Sequence, residues 1–516
     1  MIRIYNTLTK QKEEFKPVEA GKAGIYLCGP TVYKPSHIGH MVGPVIFDAV
    51  KRYLVYSGYD VKLIINITDV DDKLIAESNR RGIPMAAVAE EMTDDYLRNL
   101  EIMNVRESVN AFPKVSDHIG NIIDFVQKLI EKGFAYESDG DVYFDVGRFS
   151  EYGKLSHRSL EQMTGEGGST ANRKHTPFDF ALWKSAKPGE PSWDSPWGQG
   201  RPGWHIECSV MSKEMLGETF DIHGGGLDLV FPHHENEVAQ SEARHGKPMC
   251  RYWMHNGLMQ ASSETGKLGG RNTSERDSLN SSPECDSASQ EAGKISKSKG
   301  ASAFRDMLAK VEPETIRFFL LSTHYRRPID FSMERIEEVH KGLETFYRFI
   351  KRYEKVSGRS FYALEVPRRR DAGGRADAAE QISGLRQKFL DFMDDDFNTG
   401  GAVGVLFDLL RVLNRSLDDQ ERRGIHTPFS EELTIGVTTL RELGLTLGLF
   451  VAEPKSGGEP SPDSGVINNL MKLLIELRAA ARQNKDFAVA DKIRKDLTAM
   501  GIALTDSPQG TDWTYF

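Results

Sequence analysis

The sequence predicts an α/β protein with a helical carboxyl-terminal part. Short apolar runs alternate with stretches of helical spacing in residues 1–115 and again in 201–330, a pattern typical of a parallel sheet. Residues 116–200 interrupt it with a short β segment and polar, Trp- and Pro-rich stretches. From residue 331 onward apolar residues recur at three- and four-residue spacing. We therefore expect a Rossmann-type sheet split by an insertion, then a helical bundle and a small C-terminal unit.

Composition limits the class of protein. The 516 residues are 39% hydrophobic and 27% charged, as in a globular protein of several domains. No apolar run approaches the ~20 residues of a membrane span, and no signal peptide is evident. Four cysteines are too few for a disulfide scaffold and favour a cytoplasmic location. The net charge of −9 argues against indiscriminate nucleic-acid binding but permits a local basic face.

The first strand and helix enclose a histidine pair. An apolar run ends at Cys28, Gly-Pro and Pro-Ser turns follow, and residues 41–54 have helical spacing. His37 and His40 therefore lie where a helix begins. Free backbone N–H groups and the positive end of the helix dipole suit an anion there, and two imidazoles beside them suit a polyphosphate.

A second apolar strand, residues 61–67, runs into Thr68. Ligands of such sheets bind at the carboxyl ends of the strands, so Cys28 and Thr68 are expected to face one pocket. The aspartates of 69–72 are interpreted as helix caps rather than metal ligands. The glycines of 224–226 allow close approach of a ligand to the backbone, although a glycine run alone is weak support.

A cationic loop lies downstream. Lys294 and Lys297 are three apart, with serines between them and a glycine after them. Residues 261–293 before this loop are rich in Ser, Gly, Asn, Asp and Glu. They are predicted to be a disordered insert because such a composition cannot bury a core.

Four residues from three segments form a plausible tetrahedral Zn²⁺ site: Cys28, Cys208, His233 and Glu237. The last two are four apart and share a face if a helix begins at Pro232. Taken alone, each cysteine is more often a buried hydrophobe. Three neighbours compete as ligands: His234, Glu235 and His205.

The motifs carry a family resemblance. His37-Ile-Gly-His40 and Lys294-Ile-Ser-Lys-Ser298 resemble the HIGH and KMSKS signatures of class I aminoacyl-tRNA synthetases. Residues 28–33, 203–208 and 231–237 are similar to the cysteinyl-tRNA synthetases in particular. The resemblance covers nearly the whole chain, except a segment around 261–292 and the interdomain linkers.

The resemblance implies a cysteine–tRNA ligase that forms cysteinyl-adenylate from ATP and L-cysteine and transfers cysteine to tRNA(Cys). It implies one Zn²⁺ per chain on the four candidate ligands, binding the substrate sulfur, and Mg²⁺ with ATP. It also implies a monomer. The implied catalytic residues are His37, His40, Lys294 and Lys297. The implied ATP-binding residues are His37, Gly39, His40, Gly225, Asp228 and Lys297. The implied substrate-binding residues are Thr68, Trp204 and His223.

The same resemblance assigns roles to the predicted domains. The sheet of 1–115 and 201–330 is catalytic, the insertion of 116–200 contacts the acceptor end of tRNA, and 331–452 is a helical bundle. A linker of 453–465 leads to an anticodon-binding module, 466–516. Basic charge, acceptor aspartates and an exposed aromatic suit unstacked bases there. The candidate contacts are Arg482, Asp491, Asp506 and Trp513.

Other functions fit parts of this sequence. A redox or structural zinc protein predicts all-thiolate ligation, whereas the candidate ligands here are mixed. A cysteine ligase acting on an amino sugar would use the same catalytic half but lack the C-terminal module that this chain carries. A non-catalytic RNA-binding paralogue predicts decay of the lysine loop or the zinc ligands, and both are intact in this sequence.

Overall fold

The structure of the chain is a computed structural model. It describes residues 1–159, 173–261, 303–373, 380–423, 429–454, 462–484, 486–500, 502–507 and 510–515. The chain divides into two units, Met1–Val451 and Ala452–Phe516. Among the described helices, none has both the length and the apolar character needed to cross a membrane.

The centre of the first unit is a four-stranded parallel sheet. Its strands are β3 (Lys22–Leu27), β4 (Asp60–Ile65), β9 (Phe220–Gly226) and β10 (Cys250–Asn256), in the order β10-β9-β3-β4. All three pairings are parallel, with Ile25 beside both Leu63 and Ile222. The four carboxyl ends therefore meet at one edge of the sheet. A hairpin of β1 (Arg3–Asn6) and β2 (Gln11–Glu14) precedes the sheet.

Helices cover the sheet. The crossover from β3 to β4 is α1 (Gly39–Tyr56), whose buried side includes Met41, Val45 and Phe47. α2 (Asp72–Arg81) and α3 (Met85–Ile102) follow β4, and the Asp71 carboxylate caps α2 by accepting from the Lys73 N–H at 2.8 Å. The predicted role of these aspartates as caps is confirmed at Asp71.

The insertion is a second, antiparallel sheet. It follows α4 (Ile119–Glu131) and contains β5 (Ala135–Ser138), β6 (Asp141–Phe144), β7 (Phe180–Ser185) and β8 (Gly200–Pro202). Two helices return the chain to the parallel sheet: α5 (Trp204–Leu216) before β9 and α6 (Glu235–His245) before β10. Side chains of the insertion, α5 and α6 share one apolar core with Tyr26 and Ile64 of the parallel sheet. The insertion is therefore packed against the fold that it interrupts.

The rest of the first unit is helical. β11 (Met259–Ala261) pairs in parallel with β12 (Ile329–Phe331), and α7 (Phe304–Leu308) and α8 (Pro313–Leu321) lie between them in the chain. The bundle consists of α9 (Met333–Ser357), α10 (Glu380–Asp394), α11 (Thr399–Arg423) and α12 (Glu431–Thr446). Its leucines and phenylalanines belong to the same core as α1.

A buried ion pair joins α1 to this helical part. Arg317 of α8 pairs with Asp48 of α1, and both side chains are almost fully buried. The guanidinium also donates to the carbonyls of Leu447 at 2.8 Å and Met103 at 3.1 Å. The Arg52 side chain reaches Asp48 from within α1 at 2.8 Å. The cationic partners hold the pKa of Asp48 below its ordinary value even though burial opposes this.

The second unit contains two helices and a hairpin: α13 (Pro462–Gln483), α14 (Phe487–Ala499), β13 (Ile502–Ser507) and β14 (Gly510–Tyr515). Its small core contains Met471, Leu497, Ile502 and Leu504. The first helix begins at Pro462, inside the range predicted as a linker.

Candidate active site

The side chains of the candidate site lie at the carboxyl ends of the strands. Cys28 directly follows β3, Asn66 directly follows β4, and Thr68 lies two residues further on. His223 lies within β9, and His255 near the end of β10. The parallel register brings these side chains together, as the sheet topology predicts.

The four predicted metal ligands converge. One ligand atom from each of Cys28, Cys208, His233 and Glu237 lies within 4.8 Å of all the others. The two sulfurs are 3.5 Å apart, and His233 Nε2 lies 3.1 Å from Glu237 Oε1. Phe231 is extended (φ −141°, ψ 133°), and helical backbone follows from Pro232 into α6. His233 and Glu237 therefore share a helix face, as their spacing predicts.

A second donor set overlaps the first. Cys28, His223, His234 and Glu237 also offer atoms within 4.8 Å of one another. His223 Nε2 donates to Glu237 Oε2 at 2.8 Å, and its ring stacks on Trp253 at 4.5 Å. This bond fixes the tautomer of His223. Its buried Nδ1 has no hydrogen-bond partner among the described residues.

His234 contacts Cys28 and is the first member of a chain of hydrogen bonds that leads away from the site. Its Nε2 lies 3.3 Å from Cys28 Sγ, and its Nδ1 lies 2.7 Å from His255 Nε2. His255 Nδ1 in turn lies 2.8 Å from the Thr7 hydroxyl. Sequence reasoning named His234 only as an alternative ligand and missed His255 and Thr7. The only signal for His255 is its position at the end of an apolar strand.

The remaining competitors are placed elsewhere. The Glu235 carboxylate accepts the backbone N–H groups of Gly153 at 2.9 Å and Ser156 at 2.7 Å, so it binds the insertion. His205 Nδ1 lies 3.0 Å from His233 Nδ1, and His205 belongs to neither donor set. Burial lowers the pKa of His205 to about 3.

The donor atoms fit a cation. Burial raises the pKa of both Cys28 and Cys208, which favours the neutral thiols, and lowers the pKa of His233 and His234 well below the ordinary value, which favours neutral imidazoles. A dication reverses the preference of a thiol because it binds thiolate. Cysteine sulfur, histidine nitrogen and glutamate oxygen are all Zn²⁺ ligands, and four such atoms suit a tetrahedral site. The residues present therefore fit the metal that the sequence predicts.

An aromatic side chain borders the metal-capable cluster. The Trp204 ring stacks on His233 with centroids 4.1 Å apart and planes at 25°. It remains 38% exposed, so one side of the indole faces solvent. Trp204 is thus placed where a wall of a substrate pocket would be.

The histidine pair lies at the start of α1. The His37 and His40 rings are 3.8 Å apart with planes at 30°. Backbone N–H groups donate to both rings: that of His37 to His40 Nδ1 and that of Gly39 to His37 Nδ1, each at 3.1 Å. α1 begins at Gly39, so the predicted placement of the pair at a helix start is confirmed.

The lysine loop falls outside the described residues, and so do Lys294, Lys297 and most of the predicted disordered insert. The chain re-enters the described part at Ala303. The Phe304 N–H donates to the Ser36 carbonyl at 2.7 Å. The segment that follows the lysines therefore contacts the residue directly before His37.

Gly225 and Asp228, which were both predicted to bind ATP, differ in solvent exposure. Gly225 is buried under the His234 ring, whereas Asp228 is exposed. A Cβ on Gly225 would lie 2.6 Å from His234 Cε1. Packing of the histidine therefore requires a glycine here, a reason that the sequence did not reveal.

The candidate RNA contacts belong to the second unit. Arg482 on α13 and Asp491 on α14 are exposed, and Asp506 belongs to β13. Trp513 on β14 is partly buried and packs against the small core of that unit. The sequence predicted an exposed aromatic side chain here, and that prediction is wrong at Trp513. The indole is partly buried because the core of this unit is small and the ring packs against it.

Comparisons with known proteins identify the fold and the family. The family described as "tRNA synthetases class I (C) catalytic domain" matches residues 14–270 and 286–341, and the "DALR domain" matches 388–451. The M. tuberculosis methionyl-tRNA synthetase in complex with methionyl-adenylate superposes with a TM-score of 0.55 at 15% identity, over 83% of this chain and 89% of that one. This likeness supports the fold alone. By fold and family, the chain is a class I aminoacyl-tRNA synthetase.

Full-length relatives narrow the family. A protein named Cysteine--tRNA ligase from Geobacter metallireducens is 44% identical over 99% of both chains. One of the same name from Heliobacterium modesticaldum is 45% identical over 99% of both, and one from Thermococcus onnurineus is 42% identical over 99% of this chain and 98% of that one. The chain belongs to the cysteine–tRNA ligase family. The family match omits residues 271–285, within the range predicted as an insert.

Proposed function

We propose that this chain activates L-cysteine with ATP and transfers the cysteinyl group to the terminal adenosine of tRNA(Cys). The observation that carries the proposal is the convergence of Cys28, Cys208, His233 and Glu237 at the carboxyl edge of the parallel sheet. A class I fold supplies the activation chemistry, and a thiophilic metal site in it selects an amino acid that carries sulfur.

The four converging side chains would hold one Zn²⁺, and the ion would bind the substrate thiolate far better than a neutral hydroxyl. Cysteine and serine differ by one atom, and an apolar pocket rejects such an isostere weakly. The overlapping contacts of His223 and His234 support the site because they orient Glu237 and Cys28. Trp204 would cover the bound amino acid from the solvent side.

Activation forms a bond between a cysteine carboxylate oxygen and the α-phosphorus of ATP, and pyrophosphate leaves. The nucleophile is already an anion, so no general base is needed and catalysis is positioning and charge stabilisation. His37 and His40, at the positive end of the α1 dipole, would hold the phosphates. Lys294 and Lys297 would stabilise the transition state, and Mg²⁺ would accompany ATP.

In the second step, a ribose hydroxyl of the terminal adenosine attacks the adenylate, and AMP leaves. The insertion of 116–200 would contact the acceptor end. The helical part carrying the DALR match and the second unit would contact the anticodon arm, with Arg482, Asp491, Asp506 and Trp513 as candidate contacts in the second unit. We propose that the chain acts as a monomer in the cytoplasm.

The test is ATP–pyrophosphate exchange with each proteinogenic amino acid, run beside a zinc assay on the same protein. Exchange with cysteine alone and about one zinc per chain is the expected result. Bound zinc without any exchange would overturn the proposal and favour a non-catalytic paralogue.

The tRNA role has its own test. A chain ending at residue 451, without the second unit, should keep cysteine-dependent exchange and lose much of its tRNA charging. Unchanged charging would refute the contribution of the second unit. Loss of exchange together with charging would show that the deletion damaged the first unit.

A further inference from the structure

A buried hydrogen-bond chain runs beside the paired thiols. The Gly29 N–H donates to Asn66 Oδ1 at 2.8 Å, and Asn66 Nδ2 donates to Thr68 Oγ1 at 3.3 Å. The Thr68 hydroxyl donates to Glu207 Oε2 at 3.0 Å. All three side chains are almost completely buried, with 1% exposure for Asn66, 2% for Thr68 and 1% for Glu207.

The hydrogen bonds from Gly29 to Glu207 all donate in the same direction. A backbone N–H can only donate, so Gly29 fixes which end of the Asn66 amide is the oxygen. The amide nitrogen must then face Thr68 and donate to it. The single hydroxyl proton of Thr68 is left for Glu207, whose oxygen accepts it.

This direction decides what Thr68 offers to a ligand. A hydroxyl has one proton and two acceptor lone pairs. Glu207 takes the proton and Asn66 occupies one lone pair, which leaves one lone pair and no donor toward the other described residues. The Thr68 hydroxyl is therefore an acceptor for a group that can only donate.

The acceptor lies next to the thiols. Asn66 Oδ1 is 3.6 Å from Cys208 Sγ, and Cys28 directly precedes Gly29. One amide group thus separates the metal-capable cluster from the Thr68 hydroxyl. In cysteine, two carbon atoms separate the sulfur from the α-ammonium, which is a cation that can only donate. A substrate whose sulfur is held at the cluster carries such a donor close to it.

We propose that Glu207 is a positioning residue that turns the Thr68 hydroxyl into the acceptor for the α-ammonium of the amino-acid substrate. The inference rests on the proposed function. Glu207 acts through Thr68: without the carboxylate, the hydroxyl proton is free to point toward the ammonium and repel it. Glu207 belongs to neither metal-capable donor set, so its role differs from that of its neighbour Cys208.

The test compares ligands that keep or lack the ammonium. Cysteine and cysteamine carry it, whereas 3-mercaptopropanoate has the thiol and carboxylate without it. Their binding to the zinc-loaded protein is measured by calorimetry for wild type, Glu207→Ala and Thr68→Val. We expect both variants to weaken cysteine and cysteamine by about 10- to 100-fold, the effect of losing a hydrogen bond to a charged group, and to leave 3-mercaptopropanoate nearly unchanged.

Conservative variants sharpen the test. Thr68→Ser keeps the hydroxyl, and Glu207→Gln keeps an acceptor oxygen, so each should restore much of the affinity for cysteine. Glu314→Ala is the matched control, because this partly buried glutamate also accepts a hydroxyl proton, from Tyr347 at 2.6 Å, in the helical part. It should not separate the ligands.

Equal weakening of all three ligands, or no weakening of cysteine, would overturn the positioning role. Zinc content and cobalt spectra, read on every variant, should match wild type, and a changed spectrum would show that Glu207 acts on the metal ligands instead. Absence of cysteine-dependent exchange in the wild type is a different result, because it would refute the proposed function itself.

Discussion

The substitution Gly225→Ala tests how tightly the metal-capable cluster is packed. Gly225 has no positive φ, so alanine is compatible with its backbone, and only space is at issue. The added Cβ would lie 2.6 Å from His234 Cε1, 3.1 Å from His234 Nε2 and 3.0 Å from Leu229 Cδ1.

His234 has little freedom to move away. The ring is fully buried and held between His255 at 2.7 Å and Cys28 at 3.3 Å. Overpacking of this kind costs ~1–3 kcal/mol. At ~2.1 cal/mol/K of unfolding entropy per residue, that cost lowers the melting temperature of the first unit, Met1–Val451, by ~1–3 °C. Because His234 contacts Cys28, we also expect faster release of zinc.

The neighbouring glycine provides the control. A Cβ on Gly226 would lie 2.4 Å from Asp228 Oδ1, the far end of an exposed side chain rather than a buried ring. Gly226→Ala should therefore cost much less. Thermal unfolding and transfer of zinc to a chromogenic chelator are measured for both variants. If Gly225→Ala is as stable as Gly226→Ala and retains zinc equally, the packing argument is wrong.

Three other substitutions test separate parts of the molecule. Cys208→Ser should lower zinc affinity by more than ~10–100-fold, the cost of losing an outer-shell partner, because it removes a ligand itself. The variant should also accept serine in pyrophosphate exchange. A zinc-free variant that still rejects serine would contradict the selectivity mechanism. Lys297→Ala should slow exchange by ~10²–10³-fold with zinc content unchanged, whereas the exposed Lys310→Ala control should be normal; normal exchange in the first variant would remove its role. Arg317→Met should destabilise the first unit by ~3–5 kcal/mol in urea unfolding, because the buried Asp48 carboxylate loses a cationic partner. Arg335→Met is the control: Arg335 pairs with Glu338 on the surface, so its loss should cost less than ~1 kcal/mol. Equal effects of the two substitutions would refute the importance of burial.

The sequence alone determined the elements that follow local rules. Apolar runs and helical spacing predicted β3, α1, β4 and α9, because periodic burial leaves a direct trace in the chain. The start of α1 at the histidine pair was predicted correctly from the turn residues before the helical spacing. Of the aspartates interpreted as caps, Asp71 caps α2, whereas Asp69 accepts the Ser116 N–H at 3.0 Å. The four-residue spacing of His233 and Glu237 sufficed to place them on one helix face.

Only the tertiary structure decided which of several equivalent side chains meet. Which of Glu235 and Glu237 joins the metal-capable cluster depends on how α6 packs against the insertion. The insertion supplies backbone N–H groups to Glu235, which leaves Glu237 facing the cysteines. The contacts of His255 and Thr7 with the site join segments about 250 residues apart, and no local pattern records such a distance. Trp513 likewise packs inward because its own unit has a small core.

The sequence thus determined the family resemblance, the strand ends and the candidate ligands, since motifs and periodicity are local properties. The tertiary structure decided the second donor set, the packing demand on Gly225 and the direction of the Asn66–Thr68–Glu207 hydrogen bonds. Those features depend on how strands and helices distant in the chain pack against each other, and a hydrogen bond has a direction only once both of its partners are placed.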